Sequence, residues 1–425
     1  MLESCLTFEP AFYDFQDYSL LESNGPVYLL GQCFETTEGL ASVQEYVTSL
    51  LWFTYRRNFP AIGGTGPSTD VGWGCMLRCG QMLLGQALIR LHLGNNWVWR
   101  KNSENKKYQQ IVRMFQDYKD MPFSIHQIAQ MGQSEKKNIG EWFGPNTAAQ
   151  VLKKLVVFER MSGLAIHVAL DGLLITSDVK AMAKTEFPRS RETTLVGDDG
   201  VVEVPGASAS GTGPQACHST MNSTLPETSL LDVRRRAGDW LPLLIIIPLR
   251  LGLTSINRCY LPAIQAFFRI PFCMGIIGGR PNHALYFVGM TGEQLIYLDP
   301  HVCQDTVNLD EPTSSDNQNE DSEEHNLFND DSYHCPFLLS IPYGDLDPSL
   351  ALAFLSRTES EYYELTKILR EKLIPASNPP LFELLDSRPK GFPPFIPYTG
   401  EATKIQDFTD LGQVVDSDDE YEILQ

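Results

Sequence analysis

The spacing of apolar residues divides the chain into a helical first part and a strand-rich second part. From Thr48 to Leu155 apolar residues recur mostly at helical intervals. Residues 48–59, TSLLWFTYRRNF, are interpreted as an amphipathic helix that ends near Pro60. A further helix is expected to start at Asn146, because asparagine is a favourable N-cap residue. A buried helix is predicted from Cys75 onwards by the spacing of Leu77, Leu84, Leu88 and Leu91.

Beyond Leu155 the period changes and short apolar runs favour strands. These runs are LAIHVAL, LLIIIPLRLG, ALYFVGM, EQLIYLDPH and FLLSIPY. The segment VGMTGE, residues 288–293, predicts a hairpin turn between two of them. A last helix is expected around Glu359–Lys372. Helices first and strands afterwards indicate an α+β protein with a mostly antiparallel sheet.

Composition suggests one globular domain with several disordered segments. Residues 1–25 are expected to form a flexible tail, residues 26–395 the domain, and residues 396–425 an acidic C-terminal tail. Two inserts, about residues 188–238 and 305–331, are predicted to be disordered because they are poor in apolar residues.

The acidic charge is confined to particular segments. Ten acids lie between Asp305 and Asp331 and seven follow Lys404, and together they account for most of the formal net charge of −20. The folded part is therefore nearly neutral. The chain has no basic face for nucleic acid, since its only compact basic cluster, residues 234–236, is interpreted as a solvated loop.

The nine cysteines indicate a reducing environment. Their number is odd, they contain no CxxC pair, and the first ten residues lack the basic start of a secretory signal. No stretch reaches the roughly 20 apolar residues that span a bilayer. We therefore expect a cytosolic, cytoplasmic protein with free thiols.

The segment VGWGCMLRCGQM makes Cys75 a candidate nucleophile. A thiol attacks a carbonyl as the thiolate, which a helix N-terminus and a nearby imidazole both favour. Gly72 and Gly74 allow a tight turn directly before the helix, and the Cys75 N–H could donate to an oxyanion. Cys79, one turn further on, is interpreted as structural or as a redox neighbour of Cys75.

Two histidines are candidates for the base. His301 stands in YLDPH, where Asp299 could orient its ring and stabilise the cation. His283 stands in RPNHALYFVG and would produce the chain order of papain-like enzymes, Cys, His, Asp. From the residues alone these two assignments stay open. A metal site built on Asp299, His301 and Cys303 has too few recognised partners to be predicted.

Several blocks of the sequence resemble the autophagins, the autophagy cysteine proteases that process ubiquitin-like modifiers. Among the blocks are FTYRRNFPAIGGTGPSTDVGWGCMLRCGQM, EWFGPNTAAQVLKKL, IPLRLGLTSIN and LIYLDPH. They cover roughly residues 45–370 apart from the inserts. The resemblance implies a papain-like cysteine protease fold and no cofactor or metal.

The resemblance also implies roles for individual residues. The family's catalytic aspartate and histidine lie in its DPH tripeptide, which corresponds to Asp299 and His301. Tyr55 would form an oxyanion hole with the Cys75 N–H. The resemblance further implies a gate over the active site, formed by Trp142, Arg280, Pro281, Asn282 and His283. The histidine at position 283 departs from the family pattern.

The implied reaction is hydrolysis after a glycine near the end of a ubiquitin-like autophagy modifier. It would trim the precursor and release phosphatidylethanolamine from the lipidated form. The end of the chain, VVDSDDEYEILQ, places Tyr421 and Leu424 in the pattern of a modifier-docking peptide. We expect a monomer that meets membranes only through its lipidated substrate, and the alternative is a catalytically weak protein that only docks modifiers.

Overall fold

The computed structural model describes residues 25–35, 40–159, 162–185, 238–280, 283–310 and 328–400. Nearly all of the predicted N-terminal tail and most of both predicted inserts lie outside these residues, as does the chain beyond residue 400. The basic cluster at residues 234–236 and the docking residues Tyr421 and Leu424 lie outside them as well.

The helices of the described part stand mostly in the first half of the chain. Its α-helices are α1 (Ala41–Ser49), α2 (Cys75–Leu93), α3 (Lys106–Arg113), α4 (Ile125–Gly132), α5 (Pro145–Phe158), α6 (Thr176–Ala183), α7 (Leu261–Phe268) and α8 (Glu359–Ile368). None of these helices combines the length and the apolar character that crossing a membrane would require.

The strands stand mostly in the second half. They are β1 (Val27–Leu29), β2 (Gln32–Phe34), β3 (Tyr55–Arg57), β4 (Ala165–Val168), β5 (Leu173–Ile175), β6 (Leu243–Arg250), β7 (Cys273–Arg280), β8 (His283–Thr291), β9 (Gln294–Leu298), β10 (Cys303–Asp305), β11 (Leu339–Pro342), β12 (Ser349–Ser356) and β13 (Glu383–Leu385). The strand interpretations of the five apolar runs are confirmed as β4, β6, β8, β9 and β11, whereas the other described strands, β7 and β12 among them, were not predicted.

The main sheet runs in the order β11-β9-β8-β7-β12-β6-β4, with β1 and β2 added beside β8. All its pairings are antiparallel except that of β4 with β6. The predicted hairpin joins β8 to β9, with Thr291 opposite Gln294. The α+β class with a mostly antiparallel sheet is thus confirmed.

The centre of the sheet is buried on both faces. Every residue of β8 from Ala284 to Thr291 is buried, and successive side chains of a strand point to opposite faces. Helices α2 and α7 both pack against β7 and β8. Helix α2 is buried from Cys75 to Arg90, so its N-terminus lies deep in the molecule beside the sheet.

The helix predicted over residues 48–59 is wrong. Helix α1 ends at Ser49, and residues 55–57 form β3, which pairs in parallel with β10. An amphipathic helix needs an exposed face, but residues 50–56 are all buried. Pairing with a distant strand therefore decides the local structure here.

The helix expected from Asn146 exists, but its start was misplaced. Gly144 is the N-cap, and Pro145 is the first helical residue. Proline suits that position because its fixed φ fits the helix and its missing N–H leaves no donor unpaired. Asn146 therefore lies in the first turn of α5 and does not cap it.

Candidate active site

A tight glycine-containing turn brings Cys75 to the start of α2. Gly72 has φ +87°, which glycine adopts without steric cost. A Cβ on Gly74 would lie 2.3 Å from Asp70 Oδ2, so a larger residue would collide with that carboxylate. Cys75 is the first helical residue, so its N–H has no partner within the helix. It lies at the helix N-terminus, where the helix dipole stabilises an anion.

A buried ionic network holds this turn. Asp70 Oδ1 accepts from the Arg56 N–H at 2.6 Å, and its Oδ2 accepts from Arg78 Nε at 2.7 Å. Arg78 also donates to Asp117 at 2.8 Å. Burial opposes the charge of Arg78, but the two carboxylates outweigh burial and raise its pKa. No local sequence pattern indicates this support, because its members are spread over 62 residues of chain.

Asp299 and His301 lie in the segment that leaves β9 and enters β10. His301 Nδ1 is 2.6 Å from Asp299 Oδ1, and the same oxygen accepts the His301 backbone N–H at 2.9 Å. Trp52 Nε1 donates to the Asp299 carbonyl at 2.7 Å. Because β10 pairs with β3, this segment is fastened to the strand that carries Tyr55.

The structure brings Cys75, His301 and Asp299 together. Burial opposes the charge on His301, but its hydrogen bonds to Asp299 and Cys75 outweigh burial and raise its pKa to about 9. Burial also opposes ionisation of Cys75, yet the hydrogen bond and charge of His301 lower the thiol pKa, helped by the Ala284 backbone. The group thus favours a thiolate beside an imidazolium.

Asp299 stays ionised in this arrangement. Burial raises its pKa, but the two neighbouring imidazoles, His283 and His301, outweigh that effect and hold the pKa well below its usual range. A carboxylate at this position stabilises the imidazolium and selects the orientation of the ring.

Tyr55 and Trp142 both contact the thiol. The Tyr55 hydroxyl hydrogen-bonds Cys75, and burial raises the pKa of Tyr55, which keeps the hydroxyl protonated as a donor. Trp142 Nε1 donates to Cys75 Sγ at 3.3 Å. Cys75 is only 2% exposed, so the tryptophan covers the thiol in this conformation.

The other residues of the predicted gate are only partly described. Arg280 is exposed at the end of β7 and pairs with His283 at the start of β8. Pro281 and Asn282 lie outside the described residues. His283 is half-buried, and its ring lies against His301.

The ligand atoms of His283, Asp299 and His301 lie within 4.8 Å of one another, a spacing that a metal site also requires. The two imidazoles are parallel, at 8° and a centroid distance of 3.5 Å. Imidazole lone pairs lie in the ring plane, so those of two stacked rings do not converge on one ion. The arrangement therefore suits proton transfer better than a tetrahedral metal.

Three other described histidines have surroundings that differ from those of His301. His92 and His126 contact the backbone carbonyls of Ser162 and Asp117. His167 is buried in β4, as expected for a histidine in an apolar strand.

Comparison with known proteins places the chain among cysteine proteases. Residues 40–368 match the family described as the peptidase C54 catalytic domain. The chain is similar to the cysteine protease ATG4A of Xenopus laevis, with 39% identity over 98% of this chain and 96% of that protein. It is also 39% identical to the cysteine protease ATG4B of Gallus gallus (99% and 98% covered) and 38% identical to human ATG4A (100% of both).

Proposed function

We propose a catalytic triad of Cys75, His301 and Asp299 for this chain. The premise is that the chain belongs to the peptidase C54 family and is a cysteine protease of papain-like fold. The observation that carries this proposal is the hydrogen-bonded series from the Asp299 carboxylate through the His301 ring to the Cys75 thiol. Cys79, the nearest thiol in sequence, differs from Cys75: it is fully buried, and burial raises its pKa.

In the first half of the reaction, the thiolate attacks the carbonyl carbon of the scissile bond. The Cys75 N–H and the Tyr55 hydroxyl donate to the oxyanion that develops. His301, which holds the thiol proton, gives it to the departing amine nitrogen as the C–N bond breaks. The products of this half are a thioester on Cys75 and a free amine.

In the second half, a water molecule attacks the thioester. His301 accepts a proton from that water, and the Cys75 sulfur departs as the acid is released. The thiolate and imidazolium are then restored. Asp299 remains a carboxylate throughout and keeps His301 Nδ1 in place.

We propose a ubiquitin-like autophagy modifier as the substrate, cleaved after its C-terminal glycine. Precursor trimming and removal of phosphatidylethanolamine both break an amide at that glycine carbonyl, and both leaving groups are amines. One acid, His301, can therefore serve both reactions. Support for this substrate is the resemblance of the motifs and the similarity to the relatives named above.

Substrate entry requires Trp142 to move. Its indole donates to the sulfur at 3.3 Å, on a thiol that is almost wholly buried, so an attacking position at the carbonyl cannot form while the contact persists. We propose Trp142 and residues 280–283 as the gate. A narrow opening beneath the indole suits a glycine, because any side chain at the scissile residue would collide with the roof.

The tail assignments belong to the same proposal. Tyr421 and Leu424 would dock the modifier by adding an extended peptide to a sheet edge. We also propose that the enzyme acts in the cytoplasm as a monomer and that it contacts membranes only through its lipidated substrate.

The test is cleavage of a modifier precursor that carries residues beyond its glycine. Cys75→Ala is expected to abolish turnover, because no other group can form the thioester. Cys79→Ala is the matched control, a cysteine one helical turn away in equally buried surroundings, and it should retain turnover. Undiminished cleavage by Cys75→Ala would overturn the proposal.

A further inference from the structure

The imidazole of His283 lies flat on the imidazole of His301. The ring centroids are 3.5 Å apart and the planes differ by 8°. His283 Nε2 lies 3.6 Å from Asp299 Oδ2, the oxygen that His301 Nδ1 does not use. That distance is longer than a good hydrogen bond, so the close ring contact is the stronger of the two interactions.

The stacked ring completes the enclosure of His301. On another side Tyr55 meets His301 edge-on, with centroids 5.3 Å apart and planes at 83°. His301 Nδ1 is bonded to Asp299, and the other ring nitrogen hydrogen-bonds the Cys75 thiol. The flat contact with His283 limits rotation of the His301 ring about its Cβ–Cγ bond.

His283 also stands between the triad and solvent. Its side chain is 23% exposed, whereas those of His301 and Asp299 are 4% and 5% exposed. Excluding water from the Asp299–His301 contact lowers the local dielectric and strengthens the hydrogen bond.

The backbone ties His283 to the nucleophile as well. His283 is the first residue of β8, and the next residue, Ala284, contacts Cys75 through its backbone. The start of one strand therefore touches both ends of the Cys75–His301 pair.

We propose that His283 is a positioning residue of the active site. It holds the His301 ring in a fixed orientation and shields the His301–Asp299 hydrogen bond from water. The inference rests on the proposed triad. It differs from a gate role, since it acts on the orientation of His301 and hence on the chemical step. It also differs from a role as the base, because His301 is the histidine that hydrogen-bonds the thiol.

Three substitutions separate the two contacts of His283. His283→Phe keeps a flat ring on His301 and removes both nitrogens. His283→Gln keeps a donor near Asp299 and removes the ring. His283→Ala removes both. Trp99→Ala is the matched control, because it removes a ring stacked on another histidine, His334, at a centroid distance of 4.0 Å.

The measurements are kcat and KM for precursor cleavage, and the pH dependence of iodoacetamide alkylation at Cys75, resolved by mass spectrometry of its peptide. We expect His283→Ala and His283→Gln to lower kcat about tenfold, below the roughly 10²-fold that an ångström of misplacement can cost, with KM unchanged. The alkylation midpoint should move to higher pH, because a loosened His301 stabilises the thiolate less. His283→Phe should restore most of both losses.

The groups whose charges face His283 are Asp299, His301 and Arg280 across the hairpin, and all three are kept in these variants. The inference is overturned if His283→Ala matches the wild type in kcat and alkylation, or if only KM changes. It is also overturned if Gln restores function and Phe does not, or if Trp99→Ala shifts the profile equally.

Failure of the proposed triad would be recognised separately. In that case Cys75→Ala would still cleave the precursor, whatever the His283 variants do. Equal unfolding midpoints of the variants and the wild type show that the kinetic changes come from the site.

Discussion

Two buried histidine clusters in this protein have similar parts and opposite electrostatics. His301 lies beside Asp299, and a flat ring stacks on it at 3.5 Å. His334 lies near Asp330, with Trp99 stacked on it at 4.0 Å. Both histidines are less than 5% exposed. Yet the pKa of His301 is raised to about 9, whereas burial lowers the pKa of His334 to about 3.

The difference lies in what each ring nitrogen touches. His301 Nδ1 meets a carboxylate directly at 2.6 Å, and its other nitrogen serves an acidic thiol. His334 Nδ1 is 2.8 Å from the Thr48 carbonyl, and its Nε2 is 2.7 Å from the Tyr108 hydroxyl. Asp330 is 3.8 Å away, behind that hydroxyl.

A histidine near an aspartate is therefore not sufficient for an active site. Partners that are neutral do not offset the desolvation of an imidazolium, so His334 is held neutral. A directly bonded carboxylate and an ionisable thiol do offset it at His301. The first cluster suits proton transfer, and the second ties α1 and α3 to the segment around residues 328–335.

The largest expected effect separates the two histidines. His301→Ala should lower precursor turnover by at least about four orders of magnitude, since removing one member of a triad removes most of its contribution. His334→Ala should keep turnover per folded molecule and lower stability by roughly 2–4 kcal/mol, because it leaves a cavity and unpaired polar groups. Cleavage kinetics and thermal unfolding of both variants test this contrast, which fails if His334→Ala is the inactive one.

A smaller effect is expected at the two carboxylates. Asp299→Asn should lower kcat by roughly two to four orders of magnitude, because an amide does not stabilise the imidazolium. Asp330→Asn should leave kcat within about threefold of the wild type, because Asp330 bonds Trp99 and Tyr108 and the change removes no contact made in the transition state. The two variants are compared in the cleavage assay.

The pH profile sharpens the same comparison. Wild-type kcat/KM should fall as the pH rises through about 9, where His301 of the free enzyme loses its proton. In Asp299→Asn this alkaline limb should move to lower pH, because the hydrogen bond and charge that raise the His301 pKa are gone. An unmoved limb would show that Asp299 does not set the pKa of His301.

The smallest effect concerns stability in acid. The folded-state pKa of His334 is about 3, below the ordinary 6.5, so the unfolded chain binds more protons as the pH falls from about 7 towards 3. His334 therefore costs stability in that window, by up to a few kcal/mol. His301 acts in the opposite sense: its stabilisation is full below about pH 6.5 and is lost as the pH rises through about 9.

The measurement is the loss of thermal midpoint between pH 7 and pH 5. His334→Asn, which keeps a donor towards the Thr48 carbonyl, should lose less than the wild type over this range. Equal losses would mean that His334 is not buried as a neutral ring.

Much of the fold could be predicted from local pattern. The helix from Cys75, the strand LLIIIPLR and the hairpin between β8 and β9 follow from apolar spacing and turn residues in the sequence. Residues 50–57 could not be predicted in this way, because their apolar and polar residues fit a helix. Their extended form depends on pairing with β10, about 250 residues away.

The sequence by itself determined the candidate nucleophile, because a glycine turn before a helix is a local property of the chain. It left His283 and His301 as alternatives, and only family resemblance chose between them. The tertiary structure decided what each of them touches. His301, between β9 and β10, and His283, at the start of β8, differ by about an ångström in their distance to one carboxylate, 2.6 Å against 3.6 Å. The strength of a hydrogen bond falls steeply over such a difference in distance. These distances are set only when β8 and β9 pair and α2 packs against the sheet.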